Sequence, residues 1–258
     1  MSLISRSTST WSGGPDEYGD EIPHDIDVLN NYNEDTFTSF TDSRGKTIQV
    51  REITDPQDFI TLLQENTKNI SEDKKWRVSV PQTPEDIQDW IKDHPGVKMY
   101  ITSNGTTGAV TPDGDMISLS SHAHEGAQMF EYQIQNGGRK LDTFDGNYGL
   151  YRKLGFVPVS YTPFNAEIAK NDGWKPEYGS EDVVFMVYGG NESKSIKNKS
   201  QLKTELKEWK KRTTPQTDTP GSEEYEDSGY AKAEQQRNRL LNTYNGDFQK
   251  IWNKEGLR

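Results

Sequence analysis

Hydrophobic positions in the middle of the chain follow two periods, one typical of strands and one typical of helices, which alternate along the sequence. Between residues 47 and 188, runs in which apolar and polar residues alternate are separated by runs in which apolar residues recur at helical spacing. The strand-like runs are 47–53, 97–102, 107–110, 116–120, 139–144, 156–159 and 182–188. This order predicts one α/β domain, residues 46–190, in which a sheet is flanked by helices.

Local signals mark where several of these elements begin and end. Asp55 followed by Pro56 is typical of a helix start, because the carboxylate caps the first turn and proline fits its first position. Asn104 followed by Gly105 is a strong signal for a hairpin between two strands. Gly155 is typical of the residue that ends a helix.

The N-terminal segment, residues 1–45, is rich in Ser, Thr, Asn, Gly and acidic residues, with apolar residues only at intervals. Such a segment buries too little apolar surface to offset its ordering entropy, so we predict an extended polar arm that is disordered when alone. The spaced apolar residues are typical of an arm that wraps a partner. A loose tail is the alternative.

The C-terminal segment, residues 191–258, has a different composition from the middle of the chain. Residues 194–212 are strongly basic and predict a helix with one narrow apolar stripe. The stripe consists of Leu202, Leu206 and Trp209. An acidic Thr/Pro/Gly linker, 213–227, leads to a second predicted amphipathic helix at 231–252. These helices either pack back on the domain or bind a partner, and partner binding is favoured because a mid-sized domain rarely needs tethered helices for its own core.

Charge and composition narrow the classes of function. The formal net charge of −11 argues against a general nucleic-acid or membrane-surface binder. The chain contains no cysteine, which excludes disulfides and cysteine-based metal sites. No apolar run follows Met1, and no stretch approaches a membrane span, so we expect a soluble protein that starts in the cytoplasm without a signal peptide. Hydrophobic residues make up 30% of the chain, which predicts that part of its length lies outside a packed core.

One stretch, residues 137–159, combines a short strand, a short helix, a glycine and a further strand. Within it, residues 150–156 read Leu-Tyr-Arg-Lys-Leu-Gly-Phe, which resembles the LYxKLGF signature of the GNAT acetyltransferase fold. The resemblance extends over residues 47–188, and its tail, 163–186, is similar to a subgroup found in bacteriophage genomes. It implies a GNAT-like α/β fold, a mixed sheet of about six strands flanked by helices, to which an extended N-terminal arm and C-terminal helices are added.

The resemblance also implies an acetyl-coenzyme A site in the loop that follows the central strand. In the family, backbone N–H groups of this loop and of the next helix start hold the pyrophosphate, as at other helix-end anion sites. The residues implied for cofactor binding are Leu119, Ser120, Ser121, His122, His124, Gly126 and Ala127. Ala123 replaces the usual Gln or Arg, Gln128 stands where a small residue is expected, and Glu125 adds negative charge near the phosphates. These departures predict weak binding of the cofactor.

Tyr151 lies where many members of the family carry a tyrosine that protonates the departing coenzyme thiolate. A phenol of pKa about 10 suits a thiolate of pKa about 8.5. The equal alternative is a helix tyrosine packed under the sheet. His122 and His124 either help to neutralise a phosphate or are simply exposed, and their spacing without a third ligand predicts no metal site.

Two functions follow from the resemblance. The first is a bacteriophage-type virion or assembly component with weak or lost acetyl-coenzyme A chemistry, whose arm and C-terminal helices bind other phage structural proteins. The alternative is an active acetyl-coenzyme A-dependent N-acetyltransferase that acts on an unidentified amine. The expected location is the host cytoplasm, the virion or both. Further copies of the chain are expected as partners within an assembly, whereas membranes and nucleic acid are not.

Overall fold

A computed structural model describes residues 29, 32–33, 36–68, 70–77, 80–121, 124–220, 224, 226 and 228–244. The architecture is α/β, as the alternating periods predict. Contacts divide the described residues into two compact units, with the boundary between Arg139 and Lys140. The first unit ends at Arg139 and the second begins at Lys140. The hydrophobic pattern contains no signal for this division.

The first unit is built on a five-stranded sheet in the order β1-β2-β3-β4-β5, in which every neighbouring pair is antiparallel. The strands are β1 Thr38–Thr41, β2 Thr47–Ile53, β3 Lys98–Thr102, β4 Thr107–Val110 and β5 Met116–Ser120. Short turns connect β1 to β2, β3 to β4 and β4 to β5, so antiparallel pairing is the direct consequence of the local sequence.

Four helices belong to the first unit: α1 Pro56–Thr67, α2 Glu72–Lys75, α3 Pro84–Asp93 and α4 Gly126–Gln135. The side chain of Asp55 caps α1 as predicted, accepting a hydrogen bond from the backbone N–H of Gln57 at 2.8 Å. Side chains alternate across the sheet: Ile101 joins the core cluster with α1, whereas the neighbouring Tyr100 packs edge-on against Tyr132 of α4. The helices therefore cover both faces of the sheet.

The second unit contains a three-stranded antiparallel sheet in the order β6-β8-β7. Its strands are β6 Lys140–Phe144, β7 Phe156–Thr162 and β8 Val183–Tyr188. Its helices are α5 Tyr148–Lys153, α6 Ala166–Asn171, α7 Lys199–Arg212 and α8 Gly229–Thr243. Phe185 of β8 packs against Tyr230 of α8, and Tyr161 of β7 packs against Trp209 of α7. Because neighbouring residues of a strand point to opposite faces, α7 and α8 cover opposite faces of this sheet.

Among the described residues of each unit the strands pair antiparallel, whereas the resemblance implies a mixed sheet of about six strands. The first unit also contains a strand that was not predicted, β1, which lies inside the segment predicted to be an arm. Phe40 of β1 is buried and packs against Tyr132 at a ring distance of 5.2 Å. Phe40 is the single apolar residue of 38–41, so the local sequence does not distinguish this strand from a polar tether.

Residues just before β1 also belong to the first unit, which corrects the predicted extent of the arm. The hydroxyl of Tyr32 donates a hydrogen bond to Asp58 of α1 at 2.5 Å. The guanidinium of Arg51 lies over the ring of Tyr32 at 4.5 Å and donates a hydrogen bond to the hydroxyl of Thr36. The rest of the predicted arm, residues 1–28, lies outside the described residues.

The C-terminal helices pack on their own unit, as the first of the two alternatives for this segment predicts, and partner binding by them stays a prediction. The stripe residues Leu202, Leu206 and Trp209 of α7 are all buried. In α8, Ala233 is fully buried, and its carbonyl accepts a hydrogen bond from Ser160 of β7 at 2.6 Å. The predicted extension of the second helix over 245–252 lies outside the described residues. Across the part of the chain that the structure describes, no helix combines the length and apolar character that a membrane span requires.

Candidate functional site

The predicted cofactor loop lies in the first unit, between β5 and α4. It follows an irregularity in β5, where the register with β4 shifts between Thr107 and Ala109. Ser118 sits at this bulge with a φ of 57°, a conformation that costs a non-glycine residue free energy. The next two residues, Leu119 and Ser120, are buried. The chain therefore enters the loop from a strand end whose direction is set by the bulge.

Ser121 ties the loop to the turn between β3 and β4. Its hydroxyl oxygen lies 2.7 Å from the hydroxyl oxygen of Thr106 and accepts a hydrogen bond from the backbone N–H of Glu125 at 3.2 Å. His124 is exposed and has a φ of 55°. His122 and Ala123 lie outside the described residues. The part of the loop that is described is thus fixed by hydroxyl groups and not by charge.

Glu125 is the central residue of the site. One carboxylate oxygen accepts a hydrogen bond from the hydroxyl of Thr102 at 2.6 Å, and the other accepts one from the side-chain amide of Asn104 at 2.7 Å. Glu125 also immediately precedes α4, at its N-cap position. A carboxylate is therefore held by two neutral donors at the positive end of a helix, where the helix dipole favours negative charge.

The first turn of α4 contains the other predicted residues. Gly126 is buried, Ala127 is half-buried, and the amide oxygen of Gln128 is buried without a donor among the described residues. In the same part of the chain, no side chain caps this helix start through a hydrogen bond. Backbone N–H groups of a first turn form an anion site when they are exposed, but here the adjoining negative charge comes from the chain itself.

Thr102 connects this helix start to the turn between β3 and β4. Its hydroxyl oxygen accepts hydrogen bonds from the backbone N–H groups of Asn104 and Thr106, at 3.3 and 3.1 Å. From α1, the side chain of Asn66 donates a hydrogen bond to the carbonyl of Gly105 at 2.8 Å. The sequence predicts this hairpin, but it gives no signal for the pairing of Thr102 with Glu125, because the partners are 23 residues apart.

Tyr151 belongs to α5, in the second unit. The residue is fully buried, and its ring packs edge-on against Phe156 with a centroid distance of 6.4 Å. This is the packing that the alternative interpretation expects of a helix tyrosine. The assignment of Tyr151 as a general acid stays a prediction.

The acidic residues that precede Tyr151 along the chain, Asp142 and Asp145, are candidates for the base that an acetyl transfer to an amine requires. Asp145 pairs with the ammonium group of Lys210 at 2.8 Å, and Asp142 of β6 is fully buried. Asp145 is therefore committed to an ion pair with α7. Among the described residues, no group of three or more histidine or acidic side chains is arranged to hold a metal ion.

The site thus consists of a strained strand end, a loop held by hydroxyl groups, and a helix start preceded by a carboxylate that is hydrogen-bonded to Thr102 and Asn104. Comparison with known proteins adds no relative: no protein-family model, no curated protein and no solved structure matches the chain.

Proposed function

We propose that the chain is a GNAT-like protein of bacteriophage type in which acetyl-coenzyme A binding is weak or lost, and which acts as a protein-binding component of a virion or of its assembly. The observation that carries the proposal is the position of Glu125. This acidic residue immediately precedes α4, the helix start at which the resemblance expects the pyrophosphate of the cofactor.

The order of elements supports the GNAT-like part of the proposal. The strand and helix at the start of the resembling region are β2 and α1, its central hairpin is β4 and β5, and its loop leads into α4. The signature then covers α5 and the start of β7, and β8 is the closing strand. Strand, helix and hairpin therefore follow one another in the order that the resemblance implies.

Electrostatics support the loss of cofactor binding. The donors to Glu125 are a hydroxyl and an amide, so they fix its carboxylate without neutralising it. Two like charges about 4 Å apart repel each other by about 1 kcal/mol in water and by about 4 kcal/mol at the effective dielectric constant of a protein surface. Repulsion of this size weakens binding of a phosphate by roughly 5- to 1,000-fold.

Calorimetry with acetyl-coenzyme A tests the proposal. We expect the full chain to bind with a dissociation constant above roughly 100 μM, and Glu125→Gln to bind at least about tenfold more tightly because one negative charge is removed. Glu85→Gln is the matched control, since Glu85 is an exposed acid in the first turn of α3 and should leave binding unchanged. Submicromolar binding by the unaltered chain would contradict the proposal.

The assembly part of the proposal has its own test. Mass spectrometry of gradient-purified particles from the source phage should detect the chain in stoichiometric amounts. Since α7 and α8 pack on their own unit, protein binding is assigned to residues 1–28 and to the surface of the second unit. Absence of the chain from both the particles and their assembly intermediates would refute this part.

One observation favours the alternative, an active N-acetyltransferase. The bulge at Ser118, with its positive φ, lies directly before the loop, and strained residues and bulges are enriched next to active sites. Release of coenzyme A thiol with a panel of amine acceptors tests this function. Turnover by the unaltered chain that is abolished in Tyr151→Phe, with unfolding midpoints unchanged, would establish it.

A further inference from the structure

Four lysines form one line along the exposed side of α7. Lys199, Lys203, Lys207 and Lys211 recur every four residues, and all four are exposed. Residues four apart on a helix are neighbours and lie about 6 Å apart along its axis, so the line extends for about 18 Å. We call this line the lysine row.

Most of the lysine row has no counter-charge from the chain itself. Lys211 pairs with Glu208 at 2.7 Å. Within the described part of the chain, Lys199, Lys203 and Lys207 make no hydrogen bond or ion pair. Like charges four positions apart destabilise a helix, so a partner that places negative charge along the row would stabilise α7.

The lysine row belongs to an uneven distribution of charge along the chain. Residues 194–212 contain eight Lys and Arg side chains and two Glu side chains, which gives this segment a formal charge of +6. Since the whole chain carries −11, the remaining residues together carry −17. A basic surface on an otherwise acidic chain is complementary in charge to other copies of the same chain.

Helix α3 of the first unit presents acidic residues at the same spacing. Glu85 and Asp89 lie four residues apart, are exposed, and make no hydrogen bond or ion pair among the described residues. We call these two residues the acidic row. Asp93 is the next position of this line, but it already takes part in an interaction of its own chain and is not counted. In total α3 contains four acidic residues and one lysine.

The two rows have geometries that allow them to lie side by side. A row of residues four apart is inclined by about 26° to its helix axis, so two such rows run parallel when the helices cross at about −50°. This is the commonest class of helix packing. The step along both rows is the same, about 6 Å. When Lys203 faces Asp89, a neighbouring lysine of the row therefore faces Glu85.

From these features we infer that the chain binds a second copy of itself, with the lysine row of one copy on the acidic row of the next. Because the two surfaces differ, the contact is heterologous, and each copy carries one surface of each kind. Repeated contacts of this type form a ring if the rotation closes and a helical filament if it does not. The inference deepens the assembly part of the proposed function, on which it rests for its biological setting.

Nucleic acid is the other kind of partner that a row of lysines suits. A nucleic-acid strand carries a negative charge at every nucleotide, and the −17 outside residues 194–212 repels such a polyanion. A second copy instead brings a short row of acids on a helix, at the spacing of the lysines. The observations therefore favour a second copy, and nucleic-acid binding is an outcome of the test.

Sedimentation velocity of the purified full chain tests the inference. At about 20 mM salt we expect reversible self-association at protein concentrations of roughly 0.1–1 mM, because exposed ion pairs are individually weak. At about 0.5 M salt the association should weaken at least about tenfold, because salt screens exposed charges.

Charge reversal identifies the two surfaces. Lys203→Glu/Lys207→Glu and Glu85→Lys/Asp89→Lys should each weaken self-association at least about tenfold, since like charges then face each other. An equimolar mixture of the two variants should associate about as tightly as the unaltered chain. In the mixture the two reversed rows face each other, and so do the two unaltered rows, so every contact again joins opposite charges.

The matched control for the lysine variant is Lys98→Glu/Lys153→Glu. Both lysines are exposed and lie outside the lysine row, and the control has the same net charge as the lysine variant. It should change self-association less than about twofold, because only general repulsion is altered. Urea unfolding midpoints verify that each variant is folded.

Three outcomes would overturn the inference. The first is a monomer at about 1 mM protein in low salt. The second is an equal loss in the lysine variant and its control, or a mixture that does not recover association. The third is binding of a single-stranded oligonucleotide that is lost in the lysine variant while self-association is unchanged, which would assign the row to nucleic acid. Each is measured on purified protein, so failure here is distinguishable from absence of the chain from phage particles.

Discussion

Each unit contains a glutamate that is held by hydrogen bonds to both carboxylate oxygens, but the donors differ. Glu125 in the first unit accepts from a threonine hydroxyl and an asparagine amide, which are neutral. Glu205 in the second unit accepts from a tyrosine hydroxyl, an arginine and a lysine. The carboxylate of Glu125 is therefore held in place by neutral donors alone. The carboxylate of Glu205 is held in place, and its charge is also compensated by Arg152 and Lys197.

The difference teaches what each carboxylate does. Glu205 connects α7 to α5 and to the segment before α7. We call this group of hydrogen bonds the Glu205 joint, because it holds α7 on the second unit. Glu125 precedes α4 and its donors are neutral, so under the proposed function its carboxylate repels an anionic ligand at that helix start. Geometry alone would not separate these roles, because the hydrogen-bond distances are nearly equal.

The largest effect on stability is expected when the hydrogen bonds and ion pairs of Glu205 are broken. Arg152→Met should reduce the free energy of unfolding by about 3–4 kcal/mol, because it leaves Glu205 partly buried with one cation fewer. Arg152 also donates to the carbonyls of Phe156 and Ser193, both at 2.9 Å. Urea unfolding measures the change.

The control for this prediction is Lys211→Met, which removes an exposed ion pair with Glu208 on the same helix. It should cost less than about 0.5 kcal/mol, as exposed pairs usually do. A loss below about 1 kcal/mol in Arg152→Met would mean that α7 does not depend on this joint.

An intermediate effect on stability is expected at Glu125, whose hydrogen-bond donors are neutral. Thr102→Val keeps the shape but removes the hydroxyl that donates to Glu125 and accepts from two backbone N–H groups, so we expect a loss of about 1–3 kcal/mol. Thr61→Val serves as the control, because the hydroxyl of Thr61 bonds the backbone of its own exposed helix turn. Thermal and urea unfolding should agree, and equal losses in the two variants would contradict the prediction.

A smaller effect on stability, one that depends on pH, is expected for Glu205. Burial alone would raise the pKa of Glu205, but hydrogen bonds from Lys197, Arg152 and Tyr148 outweigh it and hold the pKa below its usual value of 4.5. A lowered folded-state pKa stabilises the fold above pH 4.5, and this stabilisation is lost as pH falls through the folded-state pKa.

The unaltered chain should therefore exceed Glu205→Gln in stability at neutral pH, and the difference should shrink in acid. Urea unfolding at a series of pH values down to acid conditions measures it. A constant difference over the whole series would show that the charge of Glu205 is not coupled to folding.

The smallest effect on stability is expected from Glu125→Gln. The amide oxygen of glutamine can still accept from Thr102, so the losses are the exposed hydrogen bond from Asn104 and a favourable interaction with the helix dipole, and the change should stay within about 1 kcal/mol. Differential scanning calorimetry measures it. A loss as large as that of Arg152→Met would mean that both carboxylates are structural joints and that the comparison fails.

Much of the secondary structure could be predicted from local sequence. The runs at 47–53, 107–110 and 116–120 coincide with β2, β4 and β5, and the short helix expected within residues 137–159 is α5, Tyr148–Lys153. These elements carry their signals within a few residues, as alternation, turn residues and caps. Their boundaries are therefore confirmed nearly to the residue.

Packing partners could not be predicted in the same way. The stripe of Leu202, Leu206 and Trp209 indicates which face of α7 is buried, but not which surface buries it. The pair that joins α7 to α5, Arg152 with Glu205, and the pair at the candidate site, Thr102 with Glu125, join residues 53 and 23 positions apart. A period along one segment contains no information about such pairs, and the same limit explains why the site's hydroxyl partners were missed.

The long separation between α7 and its partners also matters while the chain is being synthesised. Asp145 and Lys210 are 65 residues apart, and Tyr148 and Glu205 are 57 apart. At roughly 5–20 residues per second, a ribosome needs roughly 3–13 s to deliver Lys210 after Asp145. During that interval, those strands of the second unit that have been synthesised lack the helix that covers one face of their sheet. Nascent chains are therefore exposed to chaperones and proteases at this point, and translation speed across residues 145–212 should affect the yield of folded protein.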